Sequence, residues 1–355
     1  MELLPAEVLM NILKYLPVQD LKSMTMMSMR FNSITRDILM AASKVVILPR
    51  NVERIEEILD RIVIAEFRDF GGAGTDSRTW SRAMTDLLNE ALWKLLGGVN
   101  VCELRLVGCE GVNAVIFDSL LVKLEKLCLL DSTCTCWRDL TQSFSSLRHI
   151  TLDSRTPILY LAPRLMRVKS VRLRFSNMNF LYAFGRFLSE YRGEIGVESI
   201  SMITHSRDYF NPMPPVGEVG IARGLCKIKA VELDLFRLPS RVEQTLYAMV
   251  LEGTADLVHL SLWRKVPHLR ENLQSDLNLM GNAVLRLRSF KASVSLNQAR
   301  HILDRIYDTD EMNLQVLALL VKSSISTFIY PVDKLLIIKK KLRSYTLQLA
   351  TQFSV

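Results

Sequence analysis

Ten short apolar triplets recur along the chain with one internal spacing, the second member three residues after the first and the third two residues later. They are Val101/Leu104/Leu106, Leu124/Leu127/Leu129, Leu147/Ile150/Leu152, Val168/Val171/Leu173, Val197/Ile200/Met202, Ile228/Val231/Leu233, Leu257/Leu260/Leu262, Leu287/Phe290/Ala292, Leu314/Leu317/Leu319 and Leu342/Tyr345/Leu347. Successive first positions lie 23, 23, 21, 29, 31, 29, 30, 27 and 28 residues apart. A period of this size marks stacked supersecondary units, each unable to bury its apolar side alone. The closing pair of every triplet is spaced as one face of a β-strand. Parallel strands need a crossover of a dozen or more residues, and the segments between triplets supply it. The repeat therefore predicts an α/β chain, a right-handed solenoid whose parallel sheet lines one concave face and whose helices lie outside.

The intervening segments carry helix signals. Ser240-Arg241-Val242-Glu243 is a capping box opening a helix through Met249 that stops near Gly253. Ser295-Leu296-Asn297-Gln298 repeats the device ahead of Ile302, Leu303 and Ile306, and Phe180 to Tyr191 is a third apolar-faced helix ending at Gly193. The triplets with their following turn, as in Val101-x-x-Leu104-x-Leu106-x-x-Cys109, resemble leucine-rich repeats over residues 101–355. They are divergent. The turn position of Cys109 holds Ser132, Arg155, Ser176 and His205 in the next four units, where asparagine or cysteine is expected. The turn ladder must then be bonded by other groups, which predicts irregular curvature. Upstream, residues 41–100 read as a connecting segment and solenoid start. They comprise a strand over Lys44–Leu48, a helix over Val52–Ala65, a glycine break at 71–74 and a helix from about Ser81 to Leu96.

Residues 4–36 have a different texture. Pro5 suits a first helical position. Leu9, Ile12, Leu13 and Leu16 follow at the spacing of one helical face, and Pro17 ends the helix. Asp20 can cap a second helix with Leu21, Met24 and Met27, followed by Ser28, Arg30, Phe31 and Ile34. Two short helices and a partial third hold more large apolar side chains than about 40 residues can bury alone. That surplus points to a docking surface. The ordered string Leu4-Pro5, Glu7-Val8-Leu9, Ile12-Leu13, Tyr15-Leu16, Asp20-Leu21, Ser28 and Arg30-Phe31 resembles a three-helix F-box over residues 1–40. The resemblance implies binding to the Skp adaptor of SCF-type cullin–RING ubiquitin ligases. Its contact set would be Leu4, Pro5, Val8, Leu9, Ile12, Leu13, Leu16, Leu21, Met27 and Phe31. Met27 stands where valine is commoner and Phe31 where tryptophan is. The competing reading is a helical hairpin packed on its own downstream domain.

Composition narrows the function classes. Of 355 residues, 49% are apolar and 23% charged, which is globular. The six cysteines show no secreted framework, no Asn-x-Ser/Thr sequon occurs, and the first residues lack a signal-peptide pattern. A cytoplasmic or nuclear location and no membrane association are expected. The formal charge of +8 belongs entirely to residues 41–355, because residues 1–40 sum to zero. Spread so thinly, it favours acidic or phosphorylated partners slightly, and nucleic acid ranks last for want of an aromatic-interleaved basic stripe.

No phosphate-loop, dinucleotide or nucleophile-elbow motif is present. Cys134-Thr135-Cys136 has no second ligand pair, so neither zinc nor another cofactor is expected. The five histidines are scattered, and the chain reads as a non-enzyme. The run Lys339-Lys340-Lys341 reads as the solvated end of a final helix before the last strand, the alternative being a nuclear address or anion patch. Residues between the strand anchors should line the concave face: Glu103, Arg105, Lys126, Arg172, Arg174, Glu232, Asp234, Trp263, Arg264 and Lys291. Arg and Trp dominate interface energetics, which singles out Arg172, Arg174, Trp263 and Arg264 for substrate binding. The bland alternative is a solvated charged face with Trp263 covering its neighbours. The expected role is the substrate-recognition subunit of an SCF-type ligase receiving an unknown protein target. The alternatives are a non-ligase F-box scaffold and, last, a nucleic-acid-binding repeat protein.

Overall fold

The computed structural model describes residues 5–13, 24, 31–35, 44–59, 62–71, 78–98, 100–133, 146–153, 167–175, 178–193, 195–204, 215–235, 240–264, 274–323 and 330–351. The chain divides into two compact units, Met1–Pro157 and Ile158–Val355.

The first unit opens with α1 (Ala6–Leu13) and a helical segment at 31–35. The expected second helix, apart from Met24, lies outside the described residues. Five strands follow: β1 (Lys44–Ile47), β2 (Ile64–Arg68), β3 (Glu103–Val107), β4 (Lys126–Leu130) and β5 (His149–Asp153). They pair in parallel and in chain order. Between β1 and β2 a 3₁₀ turn (Pro49–Arg54) runs into a one-turn helix (Ile55–Ile58). The helix expected through Ala65 therefore stops early, and its apolar end, Ile64 to Phe67, is a strand buried on both faces. An unbroken apolar run of four or five residues does not distinguish a buried strand from a helix. Helices α2 (Arg78–Leu95) and α3 (Ala114–Leu121) pack on one another, and Asn113 caps α3 by accepting from Val115 N at 2.9 Å and Ile116 N at 3.4 Å.

The exits of β2, β3 and β4 share one backbone solution. Asp69, Gly108 and Asp131 each follow the last strand residue with φ of 62°, 64° and 50°. The left-handed bend is cheapest for glycine and tolerated by aspartate, which has short side-chain bonding options. Each bend sends the next residue inward: Phe70, Cys109 and Ser132 are buried. Cys109 Sγ reaches the carbonyls of Phe67 and Val107 at 3.6 Å. Ser132 Oγ accepts from Cys109 N at 3.1 Å and donates to Leu130 O at 2.9 Å. The serine thus bonds the turn ladder where asparagine or cysteine was expected. The corresponding Arg155, Ser176 and His205 lie outside the described residues.

The second unit contains β6 (Ser170–Phe175), β7 (Ser199–Thr204), β8 (Ala230–Leu235), β9 (His259–Arg264), β10 (Ser289–Val294), β11 (Val316–Ser323) and β12 (Ser344–Thr351), again parallel and in chain order. The crossovers are α4 (Met178–Glu190), α5 (Pro215–Leu225), α6 (Ser240–Leu251), α7 (Gln274–Arg286), α8 (Leu296–Asp308) and α9 (Val332–Lys341). Each helix packs on the next in sequence. Ser295 caps α8 as expected: its Oγ accepts from Gln298 N at 3.3 Å while Gln298 Oε1 accepts from Ser295 N at 2.9 Å. The α4–α5 contact is backbone to backbone. A Cβ on Gly185 would fall 2.8 Å from Ile221 Cα, and one on Gly224 would fall 2.7 Å from Gly185 O.

All ten triplets coincide with strands. Every member is buried except Tyr345 and Leu347 of the last, which are half-buried. Strands in chain order with helical crossovers stacked alongside are compatible with a solenoid in each unit.

Candidate interaction surfaces

The described residues between 5 and 35 form a small core. Leu9, Leu13, Phe31 and Ile34 are buried together with Met24 packed against them. The α1 backbone closes its first turn from Leu9 N to Pro5 O at 3.1 Å. Thr35 Oγ1, also buried, donates to Phe31 O. At 100° per residue, Leu9 and Leu13 form a seam of α1, flanked by Val8 and Ile12 on one side and Met10 on the other. The flanks are open: Val8 is 42%, Met10 41% and Ile12 46% exposed. The ten adaptor contacts named from the resemblance thus fall into three sets. Pro5, Val8 and Ile12 are exposed, while Leu9, Leu13 and Phe31 are closed into the segment's small core. Leu4, Leu16, Leu21 and Met27 lie outside the described residues. Met10, half-exposed and absent from the expected set, joins the open surface; its spacing of one residue from Leu9 hid it among core positions.

In the second unit the outward-alternating residues form rows across the strands, two of which hold the expected recognition residues. One runs Arg172, Ser201, Glu232, Ser261, Lys291, Ala318, Thr346, with Ser201 Oγ donating to Glu232 Oε2 at 2.7 Å. Another runs Arg174, Ile203, Asp234, Trp263. Arg172, Arg174 and Trp263 therefore share one face, with Arg174 and Trp263 three strand spacings, or about 14 Å, apart. Arg264 is the last residue of β9 and pairs in register with Leu235 of β8. Two histidines stand on strands, His149 at the start of β5 and His259 at the start of β9, and both are exposed. Burial of the ring, then Lys126 and Arg148, lower the pKa of His149; burial, then Arg288 and Lys291, do the same for His259.

The first unit's outward face holds a denser constellation. Glu66 on β2 is buried, and Lys44 Nζ from β1 lies 2.6 Å from its Oε2. Arg68 grips Glu66 Oε1 through Nε and Nη2. On β3, Arg105 Nε donates to Glu103 Oε1 at 2.5 Å, and its Nη1 lies 3.8 Å from Glu66 Oε2. Lys126 on β4 stands 3.9 Å from Glu103 Oε2. Burial alone would push the Glu66 carboxyl upward, but the hydrogen bonds and charges of Lys44 and Arg68 outweigh it and hold the pKa below the ordinary value. Glu103, Arg105 and Lys126 were legible as face residues from the triplets. Glu66 and Arg68 were not, because β2 has the look of a helix end, and Lys44, on the strand expected at 44–48, lies upstream of the triplets.

Two of the described cysteines, Cys109 and Cys226, are buried. Burial pushes Cys109 up to about 11 and Cys226 up to about 12, so neither is a thiolate at neutral pH. Among the described residues no group of three or more His, Cys, Asp or Glu is placed to hold a metal, and Cys134 and Cys136 lie outside them. No described helix is long and apolar enough to cross a membrane.

A family model described as F-box domain matches residues 1–39. No curated protein matches the chain.

Proposed function

The chain is an F-box protein by its residues 1–39, and on that footing we propose that it is the substrate-recognition subunit of an SCF-type cullin–RING ubiquitin ligase. The F-box engages the Skp adaptor, and the strand units receive a protein target through their outward faces. The chain performs no bond chemistry. It acts by proximity, raising the effective concentration of target lysines near the ligase-bound ubiquitin-conjugating enzyme. One observation carries the reading: within the matched segment, Val8, Met10 and Ile12 stay open around a core already closed by Leu9, Leu13 and Phe31. Fully covering such side chains is worth about 1.5–3 kcal/mol each, so burying the half that is open contributes on the order of 1 kcal/mol apiece.

The test must spare the core, which makes Leu9 the wrong target. Val8→Asp with Ile12→Asp places two charges on the open flank. Adaptor co-purification should fall by at least 100-fold while the thermal unfolding midpoint stays within about 2 °C. Retained adaptor binding would overturn the assignment. Recovery of adaptor without cullin or ubiquitin conjugates, from cells with the proteasome inhibited, would instead favour a non-ligase F-box scaffold.

A further inference from the structure

We propose that the outward face of β1–β4 binds one dianionic group carried on a polypeptide, either a phosphorylated side chain or a pair of adjacent acidic side chains. The inference rests on the substrate-receptor reading and names the chemistry of the segment received. Four successive strands each place one cation on this face: Lys44, Arg68, Arg105 and Lys126. With strands about 4.8 Å apart, the four span roughly 14 Å. Glu66 and Glu103 are almost wholly buried beneath them, whereas the cationic side chains remain 31–49% exposed. The carboxylates therefore lie covered on the same face as anchors, and the cations stand over them towards solvent.

The anchoring leaves donors to spare. Arg68 spends Nε and Nη2 on Glu66, leaving Nη1. Arg105 spends Nε on Glu103 and turns Nη1 towards Glu66, leaving Nη2. Two guanidinium groups held by their Nε edges have lost most of their rotamer freedom before any ligand arrives. Arginine also matches phosphate and carboxylate oxygens in geometry as well as charge. Four cations over two carboxylates leave a local charge of +2, which one dianionic group neutralises.

The same charge balance argues against other polyanions. A nucleic-acid strand would draw successive phosphates across Glu66 and Glu103, and binding without sequence readout relies on aromatic stacking platforms. The other residues in the row of Glu66 and Arg105 are Val46, Cys128 and Thr151, none of them aromatic. Anionic membranes are read by clusters of four to eight uncompensated Lys or Arg, and this set is half compensated.

The experiment uses the full chain on an array of degenerate nonapeptides centred on phosphoserine, on serine or on Glu-Glu, in about 0.15 M salt. Two variants accompany it. Arg68→Gln with Lys126→Gln removes two of the cations. Val46→Glu instead adds a carboxylate to the row of Glu66 and Arg105, on the exposed edge strand, and removes none of the four cations. The expected result is at least tenfold enrichment of the phosphoserine or the Glu-Glu peptides over serine, the stronger arm identifying the source of the charge. Both variants should lose at least fivefold of that enrichment and still co-purify with the Skp adaptor at the wild-type level, so failure of this site is distinguishable from failure of the receptor reading. Equal binding of all three libraries, enrichment that survives Val46→Glu, or stronger binding to oligouridine or phosphatidylserine vesicles would overturn the proposal.

Discussion

Glu66 shows how a single side chain can be costly and useful together. Burying a carboxylate is unfavourable unless the surrounding charges repay it, and here Lys44 and Arg68 do so from the two flanking positions. Because its folded pKa lies below the ordinary 4.5, this stabilisation is fully present above about pH 4.5. It is lost as the pH falls through the folded value. Glu66→Gln should therefore lower stability at pH 7 by about 1–2 kcal/mol, a figure reduced because both cations are partly solvated. The gap between wild type and variant should narrow steadily below pH 4.5. Urea titrations at pH 7 and pH 3.5 check this, and a gap that widens in acid would contradict the ion-pair account. The residue was illegible in the sequence for a local reason. Ile62-Val63-Ile64-Ala65 continues the apolar spacing of the preceding helix, and only the pairing with β3 reveals a strand.

Among the elements, the helix layer has two features that no apolar pattern announces. The first is the glycine contact between α4 and α5. Gly185→Ala gains up to about 1 kcal/mol of helix propensity but drives a methyl group into Ile221, and overpacking of this kind costs about 1–3 kcal/mol. Gly220, in the same helix pair, would meet only Ser189 Oγ at 3.8 Å. Denaturant unfolding should show Gly185→Ala destabilising by about 1–2 kcal/mol and Gly220→Ala stabilising by about 0.5–1 kcal/mol; equal effects would contradict the packing. The second feature is a recurring lysine cap. Lys123 Nζ donates to Leu96 O at 2.6 Å, beyond the end of α2. Lys227 bonds Leu188, Ser189 and Tyr191 carbonyls at the end of α4. Lys341 bonds Ile306, Tyr307 and Thr309 carbonyls at the end of α8. In each case a lysine beside one helix C-terminus serves the last carbonyls of the helix before it, where both orphan acceptors and dipole favour a cation. Part of the chain's basic excess is therefore structural, and Lys341 is less solvated than its place in a lysine run suggests. The strands of the repeat, by contrast, were legible, since nine of the ten triplets bury two alternate residues at that spacing.

Across the molecule, the two readable signals lie at different distances from function. The repeat located ten of the twelve described strands and the face between their anchors, yet it missed β1 and β2, and with them the three charged residues that complete the first unit's outward cluster. The F-box string identified its segment by residue type and order. It could not tell which apolar residues close the hairpin and which stay open, because the α1 seam and its flanks are equally apolar in sequence. The account therefore depends on two surfaces on one chain, an apolar flank for the ligase and a charged face for the target. Its most direct test is capture from proteasome-inhibited cells with wild type, Val8→Asp/Ile12→Asp and Arg68→Gln/Lys126→Gln, probing for adaptor, cullin and ubiquitin-conjugated proteins. The account predicts that the first variant loses adaptor, cullin and conjugates together, while the second keeps adaptor and cullin and loses the conjugates. Undiminished conjugates with the first variant would contradict it.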